Sequence, residues 1–372
     1  MQPNLGTSVR PNNFNLIRLL AALQVLLIHT TEHLRLDCFQ TRFGQLLYSF
    51  LQWFPGVPIF FVISGFLISR SFENQPVIGD YARKRFLRIY PALWACFLST
   101  IVMVAVLAPT TLTTANRKEL VAWMAAHVSF FQFYNPSFLR DFGIGVVNGS
   151  LWTIPVELQF YAAVPVVYFL SGGPRRLTNS KLLVLITIFL VVNQVALSFR
   201  SAHPDELWCK LLMASMFPYF WLFLLGVIAQ RNWRHLQGLF QDKFLVWMIL
   251  YAVGNQILGG AGFTVGTNHP TPILAFVLAG LTLSAAYSYR GFAEKVLRGH
   301  DISYGLYIYH MPVINAFVEL RFTASMLYAL VAFQLTLVLA VLSWGLIESP
   351  SLRGKSCKSP HSSRETTVSK TK

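Results

Sequence analysis

Residues 14–34 read FNLIRLLAALQVLLIHTTEHL, a mostly apolar run that contains one arginine, one glutamate and two histidines. A helix of about 17 to 25 apolar residues is long enough to cross the hydrocarbon core of a bilayer. Ten runs of this kind occur, at residues 14–34, 45–69, 86–108, 151–170, 181–199, 207–229, 244–260, 272–289, 302–320 and 326–347. The sequence therefore predicts an all-α polytopic membrane protein with about ten transmembrane helices.

The composition excludes a soluble enzyme. Of the 372 residues, 54% are hydrophobic and only 12% are charged, whereas roughly a quarter of an ordinary soluble domain is charged. A net charge of +15 would suggest a nucleic-acid partner in a soluble protein. With the N-terminus in the cytoplasm, however, 21 of the 30 Lys and Arg residues lie in predicted inner segments and 8 in outer ones, as the positive-inside rule requires. We therefore expect a lipid bilayer as partner, no nucleic acid, and both termini in the cytoplasm.

This topology predicts a cytoplasmic N-terminal segment (1–12), a transmembrane domain (13–350) and a basic cytoplasmic tail that is disordered (351–372). One more apolar stretch, ELVAWMAAHVSFFQFY at 119–134, is short and contains a histidine. If it crossed the membrane, every later loop would invert and most bases would lie outside. We therefore predict an amphipathic or re-entrant helix at the outer face.

Ionisable residues inside the spans are candidates for function because their burial in hydrocarbon is unfavourable. Arg18 and His29 are eleven residues apart, which is within 20° of three full helical turns, so both lie on one face about 16 Å apart. Each residue alone could have a structural role, through snorkelling or a contact between helices. The pair on one face favours a functional role.

His29 also begins His29-Thr30-Thr31-Glu32-His33, which matches the H-x-x-E-H pattern of inverted zinc proteases. Two histidines four residues apart can share a zinc ion, with the glutamate as base. The pattern has only three fixed positions, and no third ligand is evident downstream. An intramembrane metalloprotease is thus the weaker alternative, and we predict no metal site.

Two further spans carry charged residues. Arg85 and Arg88 lie on one face at the start of the third span, where the positive-inside rule also supplies bases, but Arg88 enters the apolar run and its burial favours a phosphate partner. Glu157 lies about 9 Å inside the fourth span and His29 about 7.5 Å inside the first, from the outer side. A carboxylate at the depth of a histidine can orient a general base, although a salt link or a proton relay would use the same pair.

A polar stripe formed by Ser303, Tyr307 and His310 runs along the ninth span, and we take these residues as supporting candidates. Inner arginines suit phosphates, and the outer histidine and glutamate suit acid–base chemistry. A donor with a polyphosphate head and a long arm, such as acyl-coenzyme A, fits this arrangement. A transporter or exporter that uses the buried His, Glu and Arg as a relay is the non-enzymatic alternative.

Several motifs occur in a specific order: Arg18 and His29 with ten residues between them, GVPIFFVISGFLISRSF (56–72), RKRFLRIYP (83–91), NGSLWTIPVELQFY (148–161), ISYGLYIYHMPV (302–313) and IESP (347–350). Together they resemble the acyltransferase-3 family of integral membrane O-acyltransferases over residues 12–353. Some relatives carry an appended periplasmic hydrolase-like domain, whereas the basic tail here leads us to expect the stand-alone form.

The resemblance implies transfer of an acyl group, usually acetyl, from cytoplasmic acyl-CoA to a hydroxyl of a cell-surface glycan or lipid-linked saccharide. It implies a location in the inner membrane of a bacterium, acyl-CoA as co-substrate, and no permanently bound cofactor. By position it implies His29 and Glu157 as catalytic candidates and Arg18, Arg85 and Arg88 as donor-binding residues. Trp152 and Tyr161, from the motif that contains Glu157, are further supporting candidates. We expect the outer segments 109–150 and 261–271 to contribute to the choice of acceptor.

Overall fold

The computed structural model describes residues 12–36, 41–258 and 268–353. The regular secondary structure in these ranges is helical, without any strand. In chain order the α-helices are α1 (Phe14–His33), α2 (Arg42–Gln52), α3 (Gly56–Asn74), α4 (Ile78–Leu107), α5 (Pro109–Thr113), α6 (Arg117–Val128), α7 (Thr153–Leu170), α8 (Asn179–Ala202), α9 (Leu207–Met213), α10 (Phe220–Arg231), α11 (Trp233–Phe240), α12 (Phe244–Ile257), α13 (Pro272–Tyr287), α14 (Phe292–Leu297), α15 (Ser303–Glu319), α16 (Met326–Ser343) and α17 (Ser349–Arg353). Short 3₁₀ turns occur at Ser137–Leu139, Gly149–Trp152 and Pro174–Arg176, and a π-helical turn at Trp344–Glu348.

The all-helical prediction is confirmed for the described residues. Six stretches are long and apolar enough to cross a membrane, as expected of a polytopic membrane protein: Phe14–His33, Arg42–Asn74, Ile78–Leu107, Gly149–Leu170, Asn179–Ala202 and Met326–Arg353. The number of ten spans and the cytoplasmic termini stay predictions. Most of the predicted N-terminal segment, most of the basic tail, and the last two residues of the seventh span lie outside the described residues.

Three predicted segments differ from the helices observed. The run 45–69 is divided between α2, which ends at Gln52, and α3, which begins at Gly56 after Pro55. The run 207–229 is divided between α9 and α10, because the chain leaves the helix before Pro218, which has no N–H to donate. Asn193 on α8 donates to the Pro218 carbonyl at 2.8 Å and fixes this break. The stretch 119–134 forms α6, which the Asn116 side chain caps at its start and which ends at Val128. Its place at the outer face stays a prediction.

Close contacts between backbones hold the bundle together. α3 and α10 cross at two glycines, where a Cβ at Gly65 would lie 1.9 Å from the Phe223 carbonyl oxygen and one at Gly226 would lie 2.1 Å from that of Val62. Small residues of this kind let membrane helices approach closely. α1 packs between α3 and α15, with Gln24 accepting from the Gly56 N–H at 2.9 Å. The packing therefore sets α1, which carries Arg18 and His29, against both α3 and α15.

Candidate active site

Two histidines meet where α1 packs against α15. His29 Nδ1 lies 2.9 Å from His310 Nε2, and the two rings stack with their centroids 5.1 Å apart. His310 is completely buried, whereas His29 is partly exposed. The structure thus brings together two of the candidate residues as a hydrogen-bonded histidine pair.

The hydrogen bonds of the histidine pair determine which nitrogen is a free base. His310 Nδ1 lies 2.7 Å from the Tyr307 carbonyl oxygen, which can only accept, so this nitrogen carries the hydrogen. In the neutral ring His310 Nε2 is then an acceptor, and His29 Nδ1 must donate to it. The lone pair of His29 is therefore on Nε2. This arrangement is the one expected of a general base that is oriented by a neighbour.

Tyr307 attaches α15 to the segment that precedes α7. Its hydroxyl donates to the Ser150 carbonyl at 3.1 Å and lies 2.9 Å from the Thr153 hydroxyl. One residue further along α15, the Ile308 carbonyl accepts from Asn148 at 2.9 Å. These contacts lie within one turn of His310 and fix the position of its helix.

Glu157 has different partners from those we expected. Its carboxylate accepts hydrogen bonds from the hydroxyls of Tyr161 and, at 3.3 Å, Ser64. It lines a small cavity together with Arg18 and Tyr307, among other residues. The partner of His29 is therefore a second histidine and not this carboxylate. The sequence indicates that His29 and Glu157 lie at similar depths in the bundle. It does not indicate which face of α7 meets α1, because that depends on how the helices pack.

Arg18 and Arg88 bind the same carboxylate. Asp301 Oδ2 lies 2.9 Å from Arg18 Nη1 and 2.6 Å from Arg88 Nη2, and Ser303 donates to the other oxygen at 2.5 Å. Glu348 lies 4.0 Å from Arg88. We refer to Arg18, Arg88, Asp301 and Glu348 as the arginine–carboxylate cluster. Burial raises the pKa of Asp301, but the two guanidiniums outweigh that effect and hold this pKa well below its usual range.

Arg85 is not part of the arginine–carboxylate cluster. Its guanidinium carbon lies 5.9 Å from the ring centroid of Tyr81 and 5.6 Å from that of Tyr161. Its Nε is buried and has no hydrogen-bond partner among the described residues. The three arginines therefore do not form one layer that is open to phosphates: two face carboxylates, and the third lies between aromatic rings.

Asp301 and Glu348 were not among the residues predicted from the sequence. Both could have been identified there, because Asp301 directly precedes the ISYG motif and Glu348 is the acid of the IESP motif. A buried arginine in an apolar helix needs a counter-charge. That requirement, applied to Arg18 and Arg88, directs a search to the few acids at the span ends.

The residues of the H-x-x-E-H pattern have other contacts. The ring of His33 lies 5.7 Å from that of His29, while Glu32 accepts from the Tyr48 hydroxyl at 2.6 Å. Over the described ranges no group of three or more His, Cys, Asp or Glu side chains could hold a metal ion. The contacts of His29 thus connect it to α15 rather than to Glu32.

The contacts between α1 and α15 also define their relative direction. The arginine–carboxylate cluster joins Arg18 to Asp301, just before α15, and the histidine pair joins His29 to His310, nine residues later. Residue numbers increase in the same direction along both helices, so α1 and α15 are parallel. The predicted topology requires this of its first and ninth spans.

Comparison with protein families matches residues 12–345 to a family described as an acyltransferase domain. Nodulation protein 10 of Rhizobium leguminosarum bv. viciae is 32% identical over 363 residues, which cover 94% of this chain and 95% of that protein. An O-acetyl transferase of Shigella phage Sf6 is 26% identical, with 94% and 98% of the two chains covered.

Peptidoglycan O-acetyltransferase OatA of Listeria monocytogenes is 24% identical over 80% of this chain, which spans about half (51%) of that relative. No solved structure matches the chain. The family match extends over nearly the whole chain and includes both the histidine pair and Arg18, Arg85 and Arg88. The chain therefore belongs to this acyltransferase family.

Proposed function

We propose that the chain is a bacterial inner-membrane O-acetyltransferase that uses cytoplasmic acetyl-CoA to acetylate a hydroxyl of an extracytoplasmic glycan or lipid-linked saccharide. The family supports acyl transfer, and the names of two relatives, O-acetyl transferase and peptidoglycan O-acetyltransferase, support acetyl as the group and a glycan as the acceptor. The observation that carries the proposal is the free lone pair on His29 Nε2, which follows from the contacts of the histidine pair.

In the proposed reaction His29 Nε2 takes the proton of the acceptor hydroxyl as its oxygen attacks the thioester carbon. The C–O ester bond forms, the C–S bond breaks, and the proton passes from His29 to the departing coenzyme A thiolate. His310 holds the imidazole by accepting from Nδ1 and so keeps Nε2 unprotonated before the reaction. If transfer takes two steps, the same nitrogen is the acyl carrier.

Donor binding is assigned to Arg85 and Glu157. Arg85 has a buried, unpartnered Nε, and a phosphate oxygen of acetyl-CoA can satisfy it by a charge-assisted hydrogen bond. Glu157 lines the cavity between Arg18 and Tyr307, where its carboxylate can accept from amide N–H groups of the donor arm. Arg18 and Arg88, already neutralised within the arginine–carboxylate cluster, position the helices around the donor. Acetyl-CoA is a co-substrate in this scheme, and no resident cofactor is needed.

The test is transfer of label from [¹³C]acetyl-CoA to glycans in membranes that contain the chain, followed by mass spectrometry. We expect an alkali-labile acetyl ester with the wild-type chain and with His33→Ala, and none with His29→Ala. His33 is a matched control because it lies one helical turn from His29 and their rings are neighbours. Equal labelling by His29→Ala and wild type would contradict the proposed role, and unlabelled glycan in every sample would contradict the activity.

A further inference from the structure

A second and larger cavity lies beside the segment Gly149–Trp152. Its volume is about 400 Å³, against about 40 Å³ for the cavity at Glu157. Pockets for small ligands usually have volumes of about 300–1,000 Å³. The residues that line this cavity include Trp152, Arg200, Lys210, Tyr219, Asn268 and His269. The proposed reaction described above uses none of these residues.

One wall of this cavity is aromatic. The ring centroids of Trp152 and Tyr219 are 5.3 Å apart, and the ring of His269 stacks on Tyr219 with the centroids 5.1 Å apart. Flat aromatic faces are apolar surfaces that keep a polar group at one edge. Such a wall matches a sugar ring, which has C–H bonds on its faces and hydroxyls around its rim.

His269 places an unsatisfied hydrogen-bond acceptor at this wall. The Tyr219 hydroxyl donates to the Met213 carbonyl at 3.1 Å, so its oxygen accepts from His269 Nε2, 3.3 Å away. His269 Nδ1 is then the acceptor nitrogen. It is buried, in a residue that is only 7% exposed, and has no partner in the part of the chain that the structure describes. Burial, together with the charge of Arg200, lowers the pKa of His269 to about 4 and keeps the ring neutral at pH 7.

The wall also carries positive charge. Arg200 is half-buried at the end of α8, and no acidic side chain of the described residues forms an ion pair with it. Lys210 is exposed and lies 3.5 Å from the fully exposed Asp205, a contact that water weakens. A ligand that brings a negative group to Arg200 would therefore gain a charge-assisted hydrogen bond.

Trp152 links this cavity to the histidine pair. It is the last residue of the turn Gly149–Trp152, in which the Ser150 carbonyl accepts from the Tyr307 hydroxyl. The carbonyl of the same Tyr307 accepts from His310. A ligand against Trp152 therefore contacts the segment that supports the helix of His310.

We propose that this cavity binds the acceptor, as a saccharide unit that carries a negatively charged carboxylate or phosphate. One face of the sugar packs on Trp152 and Tyr219, a sugar hydroxyl donates to His269 Nδ1, and the anionic group binds Arg200, with Lys210 at the rim. This inference names the acceptor class and rests on the proposed function for the reaction that follows binding.

The test measures binding to the full chain in lipid nanodiscs, in the absence of acetyl-CoA. The probes are trigalacturonate, its uncharged methyl ester, glucose 1-phosphate and glucose. We expect at least one charged probe to bind about tenfold more tightly than its neutral counterpart, as one charge-assisted hydrogen bond allows. The probe with the larger difference identifies the source of the charge, a carboxylate on the sugar or a phosphate link.

Three variants locate the binding. Arg200→Gln should raise the dissociation constant of the preferred charged probe about tenfold and leave that of its neutral counterpart unchanged. His269→Phe keeps the ring on Tyr219 but removes the acceptor, and should weaken the charged and the neutral form alike. Arg117→Gln, which removes one exposed charge from α6, should change neither.

Equal binding of charged and neutral probes, no binding of either charged probe, or unchanged binding in Arg200→Gln would overturn the assignment. If binding depends on Arg200 but the wild-type chain transfers no acetyl group, the cavity stands and the proposed function fails. If acetyl transfer depends on His29 but binding does not depend on Arg200, the proposed function stands and this inference fails.

Discussion

α1 makes two polar contacts with the α15 region, and they differ in charge. At Arg18 the arginine–carboxylate cluster sets two guanidiniums against two carboxylates. At His29, about 16 Å further along the helix, the histidine pair is neutral in the arrangement its hydrogen bonds define, and one nitrogen, Nε2, has a free lone pair. One end of the interface is balanced by charge, and the other presents a base.

The two regions should therefore respond differently to mutation. Removing one partner of a buried ion pair leaves an uncompensated charge in a medium of low dielectric constant, which strongly destabilises the fold. Removing one imidazole from a neutral pair leaves at most one unsatisfied polar atom. We expect the arginine–carboxylate cluster to govern stability and the histidine pair to govern the rate.

The largest effect on folding is expected for Asp301→Asn. Its side chain is 8% exposed and binds two arginines, so the change should lower the free energy of unfolding by about 3–5 kcal/mol. Asp242→Asn is the matched control, because that side chain is 58% exposed and pairs with Arg290 at 3.3 Å; it should cost about 0–1 kcal/mol. Denaturant unfolding in detergent measures both, and equal losses would show that the cluster is no stronger than a surface pair.

The next largest effect is expected for His310→Ala, which should lower the turnover rate. Without an acceptor for Nδ1–H the His29 ring can rotate, and misplacement of a reacting group by about 1 Å can lower turnover roughly 100-fold. His310→Gln should lose less, because its side-chain oxygen can accept from His29. Initial rates with saturating acetyl-CoA measure the effect.

The control for His310 is His127→Ala, which removes another buried histidine, one whose Nδ1 lies 3.0 Å from the Trp123 carbonyl. That variant should keep wild-type turnover. The same loss of turnover in both variants would mean that general loosening of the bundle, rather than orientation of His29, explains the result.

A smaller effect is expected from Arg85→Gln. Loss of one charge-assisted hydrogen bond should raise the KM for acetyl-CoA about tenfold with little change in unfolding. Arg88→Gln should lower the free energy of unfolding and change the KM for acetyl-CoA little, because it leaves the carboxylates of the cluster with fewer partners. Steady-state kinetics at varied acetyl-CoA, together with unfolding of both variants, separates the two roles; an unchanged KM in Arg85→Gln would remove Arg85 from the donor site.

The smallest effect concerns pH. The pKa of Asp301 is lowered in the folded chain relative to its ordinary value of 3.8, so its stabilisation is fully present above pH 3.8 and is lost as the pH falls towards the folded pKa. The difference in unfolding free energy between wild type and Asp301→Asn should shrink as the pH falls below about 4. A difference that is the same at about pH 5 and about pH 2 would contradict the ion pairing.

The sequence predicted the helices well because each apolar run is a local property. The break within the predicted run 207–229 also has a local cause, because Pro218 lies between α9 and α10 and cannot continue a helix. The candidate site was predicted as a set of residue types and depths, and His29 and His310 were both named. Their pairing could not be predicted, because spacing along one helix fixes height and face but not which neighbour that face meets. The same gap led us to pair His29 with Glu157. Asp301 is different, because the need of Arg18 and Arg88 for a counter-charge could have pointed to it from the sequence.

The central claim is that His29 acts as a base while the charges around Arg18 hold the helices. The turnover number of purified His29→Ala in proteoliposomes, with saturating acetyl-CoA and acceptor, tests it most directly. We predict a loss of roughly 100- to 10,000-fold, the range for removal of a general base, at an unfolding free energy within about 1–3 kcal/mol of wild type, the cost of one unsatisfied polar group. Turnover of His29→Ala within about twofold of wild type would contradict the claim.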